Sequence, residues 1–338
     1  MSTREAEKVT VQTVAIDVHN HFYPSSYLKE LKKGEGAAKV TEDSKGDFIL
    51  TYAGDYNVIV PGHRDIEFRL AELDRIGIKA QILSLTTPGV HIEERERGIR
   101  LAKMVNDDFA EIAGKYPGRF YGFAALPLQD PKAAAMELRR AVKELHFKGG
   151  TLFTNINGQT LDDPSFQCVF EEVRELDVPL FIHPTTPSPA DAFLDYRLAA
   201  LVGFGMDTTL TVARLIFSGL LDRVTGLKLI ASHLGGCLPY LAERFDRGYS
   251  VYPECQKPLK MPTSYLKESV YFDCVLFEPL AVEFALKLFG SDHFLAGSDY
   301  PHQVGDLEKC VGVIQELDTT PEIKEKILHL NAEKLFKL

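Results

Sequence analysis

Cysteine is scarce and scattered in this chain. The five thiols, Cys168, Cys237, Cys255, Cys274 and Cys310, include no pair spaced as a zinc knuckle or a redox couple. An odd, dispersed set points to reduced thiols in a cytoplasm, not to a disulfide framework. Positive charge is also in deficit, with 38 Lys and Arg against 48 Asp and Glu and a net charge of −10. A phosphate backbone needs a basic face, so nucleic acid is excluded as a partner. No apolar run approaches the roughly 20 residues that span a bilayer, which argues against a membrane partner. Residues Met1 to Thr10 are polar and charged and lack the apolar core of an export signal. There is no Gly-rich loop for a dinucleotide or phosphate, no internal repeat and no low-complexity stretch.

What is present is alternation. Strand-like apolar runs cover 12–18, 79–85, 119–126, 149–153, 178–182, 227–232, 270–274 and 294–298. Continuous apolar runs suit strands covered on both faces. Helical periodicity separates them, over 65–77, 93–115, 131–145, 163–176, 206–221, 237–249, 278–289 and 306–316, with Asp65 as an N-cap. Alternation of this kind builds a parallel sheet. Eight such units in 338 residues predict one domain, 1–338, an α/β fold of the (β/α)₈ barrel type. Two stretches interrupt the pattern. An insertion at about 26–62 reads as a small β-hairpin turning at Gly54-Asp55, and 250–264, with Pro253, Pro258 and Pro262, reads as an irregular arm.

The ends of four apolar runs carry reactive groups, and strand ends form the active face of such a barrel. The first run closes with His19-Asn20-His21. On an extended strand end, residues i and i+2 share a side, so both imidazoles can hold one ion at roughly 2.0–2.1 Å. His183 ends a second run and Asp299 a third; together these make three nitrogens and one carboxylate, a divalent metal site. The nitrogen richness favours zinc, with manganese as competitor. Asp299 can also handle a proton. His233, followed by Gly235-Gly236, ends the remaining run. It reads as either a fifth ligand or an acid/base group, and the second is favoured because a catalytic metal keeps a position open for water or substrate. Arg244 has no oppositely charged neighbour three or four residues away on its helix, which makes it a candidate for binding a substrate carboxylate.

The chain resembles the amidohydrolase-related decarboxylases typified by aminocarboxymuconate semialdehyde decarboxylase. The likeness is carried by Ile16-Asp17-Val18-His19-Asn20-His21, Leu73-Asp74-Arg75-Ile76-Gly77, Tyr116-Pro117-Gly118-Arg119-Phe120, Phe181-Ile182-His183-Pro184, Ala231-Ser232-His233-Leu234-Gly235-Gly236, Gly297-Ser298-Asp299-Tyr300-Pro301 and Asn331-Ala332-Glu333. The resemblance implies a (β/α)₈ barrel with one divalent metal, usually zinc, on His19, His21, His183 and Asp299. It implies His233 as the acid/base residue and Arg244 reaching into a neighbouring subunit of a dimer. Departures are also visible. Val60 stands where the muconate enzyme has a substrate-binding arginine, Arg64 where it has a tryptophan, and His302 where relatives commonly carry phenylalanine. Ser84-Leu85-Thr86-Thr87-Pro88-Gly89 and Asp207-Thr208-Thr209 look more like the 6-methylsalicylate decarboxylase branch, and γ-resorcylate decarboxylases carry glutamate in place of His19.

These readings predict a cytoplasmic homodimer or higher oligomer that removes CO₂ from a small hydroxyaryl or enol-type carboxylic acid, with Arg64, His302 and Arg244 as substrate contacts. The rival from the same residues is a hydrolase or hydratase using metal-activated water. A non-catalytic metal-binding barrel is the third reading.

Overall fold

Each of the eight apolar runs contains a strand, in the order expected. The structure, a computed structural model, describes residues 14–338 apart from 45, 47, 53, 54 and 188. The polar stretch Met1–Thr10, the start of the first run at 12–13 and Gly54 of the insert turn lie outside the described residues. The strands are β1 (Ala15–Asp17), β2 (Ile78–Leu83), β3 (Phe120–Ala124), β4 (Gly149–Phe153), β5 (Leu180–His183), β6 (Leu229–Ala231), β7 (Val270–Asp273) and β8 (Phe294–Leu295). They pair in parallel and in chain order. The ring closes where Val18 N–H donates to Ala296 O at 3.0 Å and Asn20 bridges Tyr300.

Two buried layers explain the continuous apolar runs. Inside the ring sit Ile16, Val18, Ile82, Phe123, Phe181 and Ile230. Outside it, alternate residues such as Ile182, Leu180 and Leu229 pack against the helices. The terminal helix Asn331–Phe336 closes the floor, with Leu335 and Phe336 in the inner cluster and Phe336 set edge-on to Phe123. Asp65 caps helix Ile66–Ile76 by accepting from Phe68 N–H at 3.0 Å.

The insertion departs from expectation. It is a three-stranded antiparallel sheet, Lys39–Glu42, Phe48–Tyr52 and Asp55–Ile59, preceded by helix Ser25–Lys32. The extra strand, Lys-Val-Thr-Glu, buries only Val40, so its sequence carries too few apolar residues to register as a strand. Two contacts dock this sheet on the barrel mouth: Tyr52 OH donates to Thr87 Oγ1 at 2.8 Å, and Asn57 Nδ2 donates at 3.0 Å to Tyr23 OH, which donates on to Thr87 O at 2.6 Å.

The arm at 250–264 is tied to its own chain. Leu259 N–H donates to Asp222 Oδ2 at 2.9 Å, and Thr263 Oγ1 donates to Asp246 Oδ2 at 2.6 Å. One further correction concerns apolar length. Among the described residues, the helical stretch Ala199–Phe217 is long and apolar enough, by composition, to cross a bilayer. It nevertheless packs Val212, Leu215 and Ile216 into the core.

Candidate metal centre and cavity

Strand alternation puts Phe181 and His183 on one side of β5, the former in the barrel interior and the latter at its mouth. The His19–His21 pair arrives differently. β1 ends at Asp17 and the chain bends at His19, so the two rings meet across a bend instead of along an extended strand. Their centroids lie 5.0 Å apart, and His21 lies 4.6 Å from His183.

Each imidazole is anchored through Nδ1. His19 Nδ1 pairs with Asp273 Oδ2 at 2.6 Å, His21 Nδ1 with Ser84 Oγ at 2.9 Å and His183 Nδ1 with Pro184 O at 2.8 Å. This leaves Nε2 of all three for another partner. His19 Nε2 and His21 Nε2 approach Asp299 Oδ1, at 3.2 and 3.1 Å, and His19 Nε2 is buried without a proper hydrogen bond. The four side chains are buried, and one ligand atom from each falls within 4.8 Å of the others. Three anchored imidazoles and a carboxylate facing one point fit a single divalent metal.

The electrostatics agree with that fit. Burial pushes the His21 and His183 imidazoles well below their ordinary range, so both are neutral, the form a metal ligand needs. Burial opposes the His19 imidazolium too, but Asp273 and Asp299 outweigh it and raise that group to about 10. Burial likewise works against the Asp299 carboxylate, but His19 and the hydrogen bonds from the surrounding histidines hold it well below the usual range.

His233 joins the cluster from the turn after β6. Its Nε2 lies 3.6 Å from Asp299 Oδ2, its Nδ1 is buried without a partner, and its ring centre is 4.9 Å from that of His19. Residues 233–236 all have positive φ. A Cβ on Gly236 would meet Gly205 O at 2.0 Å, so glycine there serves a close backbone approach by the neighbouring helix.

A cavity of about 730 Å³ opens over the cluster, reaching His183, His233, Asp299 and His302. His302 Nε2 meets Thr86 Oγ1 at 3.1 Å, and its ring centre is 4.9 Å from that of His21. The arginines expected as substrate contacts sit elsewhere. Arg64 is exposed and lies over the Phe48 ring at 4.8 Å, outside the cavity lining. Arg244 is exposed on helix Leu238–Val251 and is likewise absent from the lining. Arg197 lines the cavity instead, and Val58, not Val60, contributes from the insert.

Three supporting residues escaped the sequence reading. Asp273 ends β7 and orients His19, the same strand-end carboxylate signal that marked Asp299. Asp17 accepts from His19 N–H at 3.1 Å and from Ser298 Oγ at 2.6 Å, tying β1 to β8. Burial raises its carboxyl to about 6. Arg69 is fully buried, donates to Asn20 Oδ1 at 3.0 Å and Gln81 Oε1 at 2.9 Å, and also bonds His21 O. Its sign in the sequence is a charge amid the apolar stripe of Ile66, Leu70 and Leu73.

Comparison with known proteins now has a geometry to meet. The amidohydrolase family pattern matches residues 16–338. The 2-amino-3-carboxymuconate-6-semialdehyde decarboxylase of Dictyostelium discoideum is 31% identical over 331 residues, covering 95% of this chain and 91% of that protein. The gamma-resorcylate decarboxylase of a Polaromonas species is 35% identical over 293 residues, covering 81% and 88%. The solved structure of a Polaromonas dihydroxybenzoic acid decarboxylase, with bound manganese and the inhibitor 2-nitroresorcinol, aligns with a TM-score of 0.79 at 30% identity over 96% of this chain and 97% of that one. The chain therefore belongs to the amidohydrolase family, in the group that contains these decarboxylases.

Proposed function

We propose that this enzyme is a metal-dependent, non-oxidative decarboxylase of a small planar hydroxyaryl or enol-type acid with one carboxylate. The observation that carries the reading is the convergence of His19, His21, His183 and Asp299 beneath a cavity into which His233 also reaches. These four residues would hold a divalent ion, which would supply Lewis-acid polarisation of an acid bearing an adjacent oxygen. His233 delivers a proton to the ring carbon that carries the carboxylate, and CO₂ leaves from that carbon. Asp299 Oδ2 lies 3.6 Å from His233 Nε2 and orients that ring toward the cavity. His302, whose ring lies 4.9 Å from that of His21, offers a polar contact to a ring oxygen of the substrate. Zinc is our first assignment because nitrogen ligands predominate, with manganese next, as bound in the Polaromonas relative.

We also assign a homodimer or larger homo-oligomer, because Met206, Leu210 and Tyr240 are exposed on two helices beside the mouth. In that assembly Arg244 extends toward the neighbour's substrate. A cytoplasmic location stays part of the proposal, on the strength of the unpaired thiols.

The test is CO₂ release from salicylates, resorcylates, other dihydroxybenzoates and aminocarboxymuconate semialdehyde. Turnover of an ortho-hydroxy monocarboxylate is the expected result. Hydrolysis of a lactone or amide, with no CO₂ from any acid, would establish the hydrolase alternative.

A further inference from the structure

Two hollows meet at one ion pair. The large cavity and a smaller one of about 90 Å³ both border on Asp55, Arg197 and Ala200. Arg197 Nη1 donates to Asp55 Oδ1 at 2.6 Å, and Nη1 and Nη2 both donate to Tyr56 O at 3.2 Å. The guanidinium lies over the Tyr56 ring at 4.6 Å. The pair joins the insert sheet to the segment after β5, two regions about 140 residues apart in the chain. Tyr196 and Arg197 both sit at positive φ, +56° and +58°. Residues with side chains hold that backbone only where surrounding contacts impose it.

Among the described residues, Arg197 is the single Lys or Arg lining the large cavity. A free guanidinium at this place would recruit a carboxylate. This one already has a carboxylate, so a second anion would have to lie beside Asp55 and be repelled by it. Most of the other lining residues are apolar, among them Leu201, Phe204, Leu276, Phe277 and Val304, with Asn57, Tyr196 and Gln303 as neutral polar groups. The volume also exceeds the need of a single small ring, since pockets of about 300–1,000 Å³ bury drug-sized ligands.

We propose that Asp55 determines specificity: by neutralising Arg197 it reserves the cavity for acids with one carboxylate and a neutral, largely apolar group at the far end. Removing its charge frees the same guanidinium to bind a second carboxylate. The inference rests on the decarboxylase reading for its kinetic assay, but not for its binding assay.

The experiment compares the metal-loaded full chain with Asp55→Asn, Asp55→Glu, Arg197→Gln and the Asp55→Asn/Arg197→Gln double variant. CO₂ release is measured from salicylates bearing a second carboxylate or a propyl group at ring position 4 or 5. Calorimetry measures binding of the matching carboxylated and propylated benzoates. In Asp55→Asn the preference should move toward the dicarboxylates by on the order of tenfold, in KM and Kd and not in kcat. Asp55→Glu should keep the original preference, and the double variant should lose the gain. An unchanged ratio in Asp55→Asn, a gain that survives loss of Arg197, or a wild type that already prefers dicarboxylates overturns the proposal. If no acid yields CO₂ in any protein, the decarboxylase reading fails while the Kd ratios still decide the role of Asp55. Should Asp55→Asn not fold, Asp55→Ser makes the same measurement.

Discussion

The ring of strand ends and the mouth above it are built in different ways. In the ring, every ligand is buried and each imidazole is gripped from behind by Asp273, Ser84 or the Pro184 carbonyl. Even the backbone of His19 and His21 is held, by Asp17 and Arg69. In the mouth, the inserted sheet and the segment after β5 are joined, among the described residues, by the partly exposed ion pair of Asp55 and Arg197. The ring is therefore pre-organised for one chemistry, whereas the mouth can change with few consequences for folding. Specificity should be mutable where activity is not.

Breaking the ring should have the largest effect. His19→Ala and His183→Ala each remove one of the four proposed ligands, and elemental analysis should show loss of most bound metal together with loss of turnover. Full occupancy in both would mean the metal lies elsewhere. His233→Asn separates chemistry from ligation: turnover should fall by about 10²–10⁴-fold while metal content stays near wild type. Metal lost along with activity would make His233 a ligand. Asp273→Asn tests the grip behind the ring. It keeps the shape but weakens the hold on His19, and metal affinity, read by chelator competition, should drop roughly 10–100-fold. A wild-type affinity would show that Asp273 is only a packing group.

His91 sharpens the contrast between gripped and ungripped histidines. It is buried against Phe153 with Nδ1 unpartnered, and burial pushes it down to about 3. The unfolded chain titrates near 6.5, so between these values the unfolded state binds the extra proton. Stability from this site is full above about pH 6.5 and is lost as pH falls toward 3. At pH 5 the loss should be roughly 2 kcal/mol. Urea melts at pH 7 and 5 should show it, and in His91→Phe the difference should shrink by about that amount, leaving the share of the other buried histidines. An identical pH slope in the variant would contradict the linkage.

The sequence was most legible where periodicity and strand-end chemistry coincide. All eight strands, the helix capped by Asp65, and the His19, His21, His183 and Asp299 cluster were expected from runs that are apolar because both faces are covered. Legibility failed where a contact depends on chain segments meeting by topology. Nothing local marks Asp55 and Arg197 as partners, and strand Lys39–Glu42 is nearly all exposed. The neighbours of Arg64 and Arg244 suggested unpaired charge, but periodicity cannot say whether an exposed arginine faces a cavity or water.

The smallest effect concerns two arginines at the same entrance. Arg64 belongs to the short helix Pro61–Arg64, and its guanidinium lies over Phe48, outside the cavity. A cation–π contact at an exposed site is worth about 0.5–1 kcal/mol, so Arg64→Ala should lower the melting temperature by only a few degrees. Its charge is far more screened than that of a buried group. Turnover and KM for any accepted acid should therefore stay within about twofold of wild type. Arg197→Gln should spare metal content equally, yet it removes the cation that faces the cavity and the tie to the insert sheet. Parallel kinetics on the two single variants make the comparison direct. If Arg64→Ala raised KM tenfold while Arg197→Gln did not, the insert would have to present its outer face to the substrate, and the mouth would need to be redrawn around Arg64.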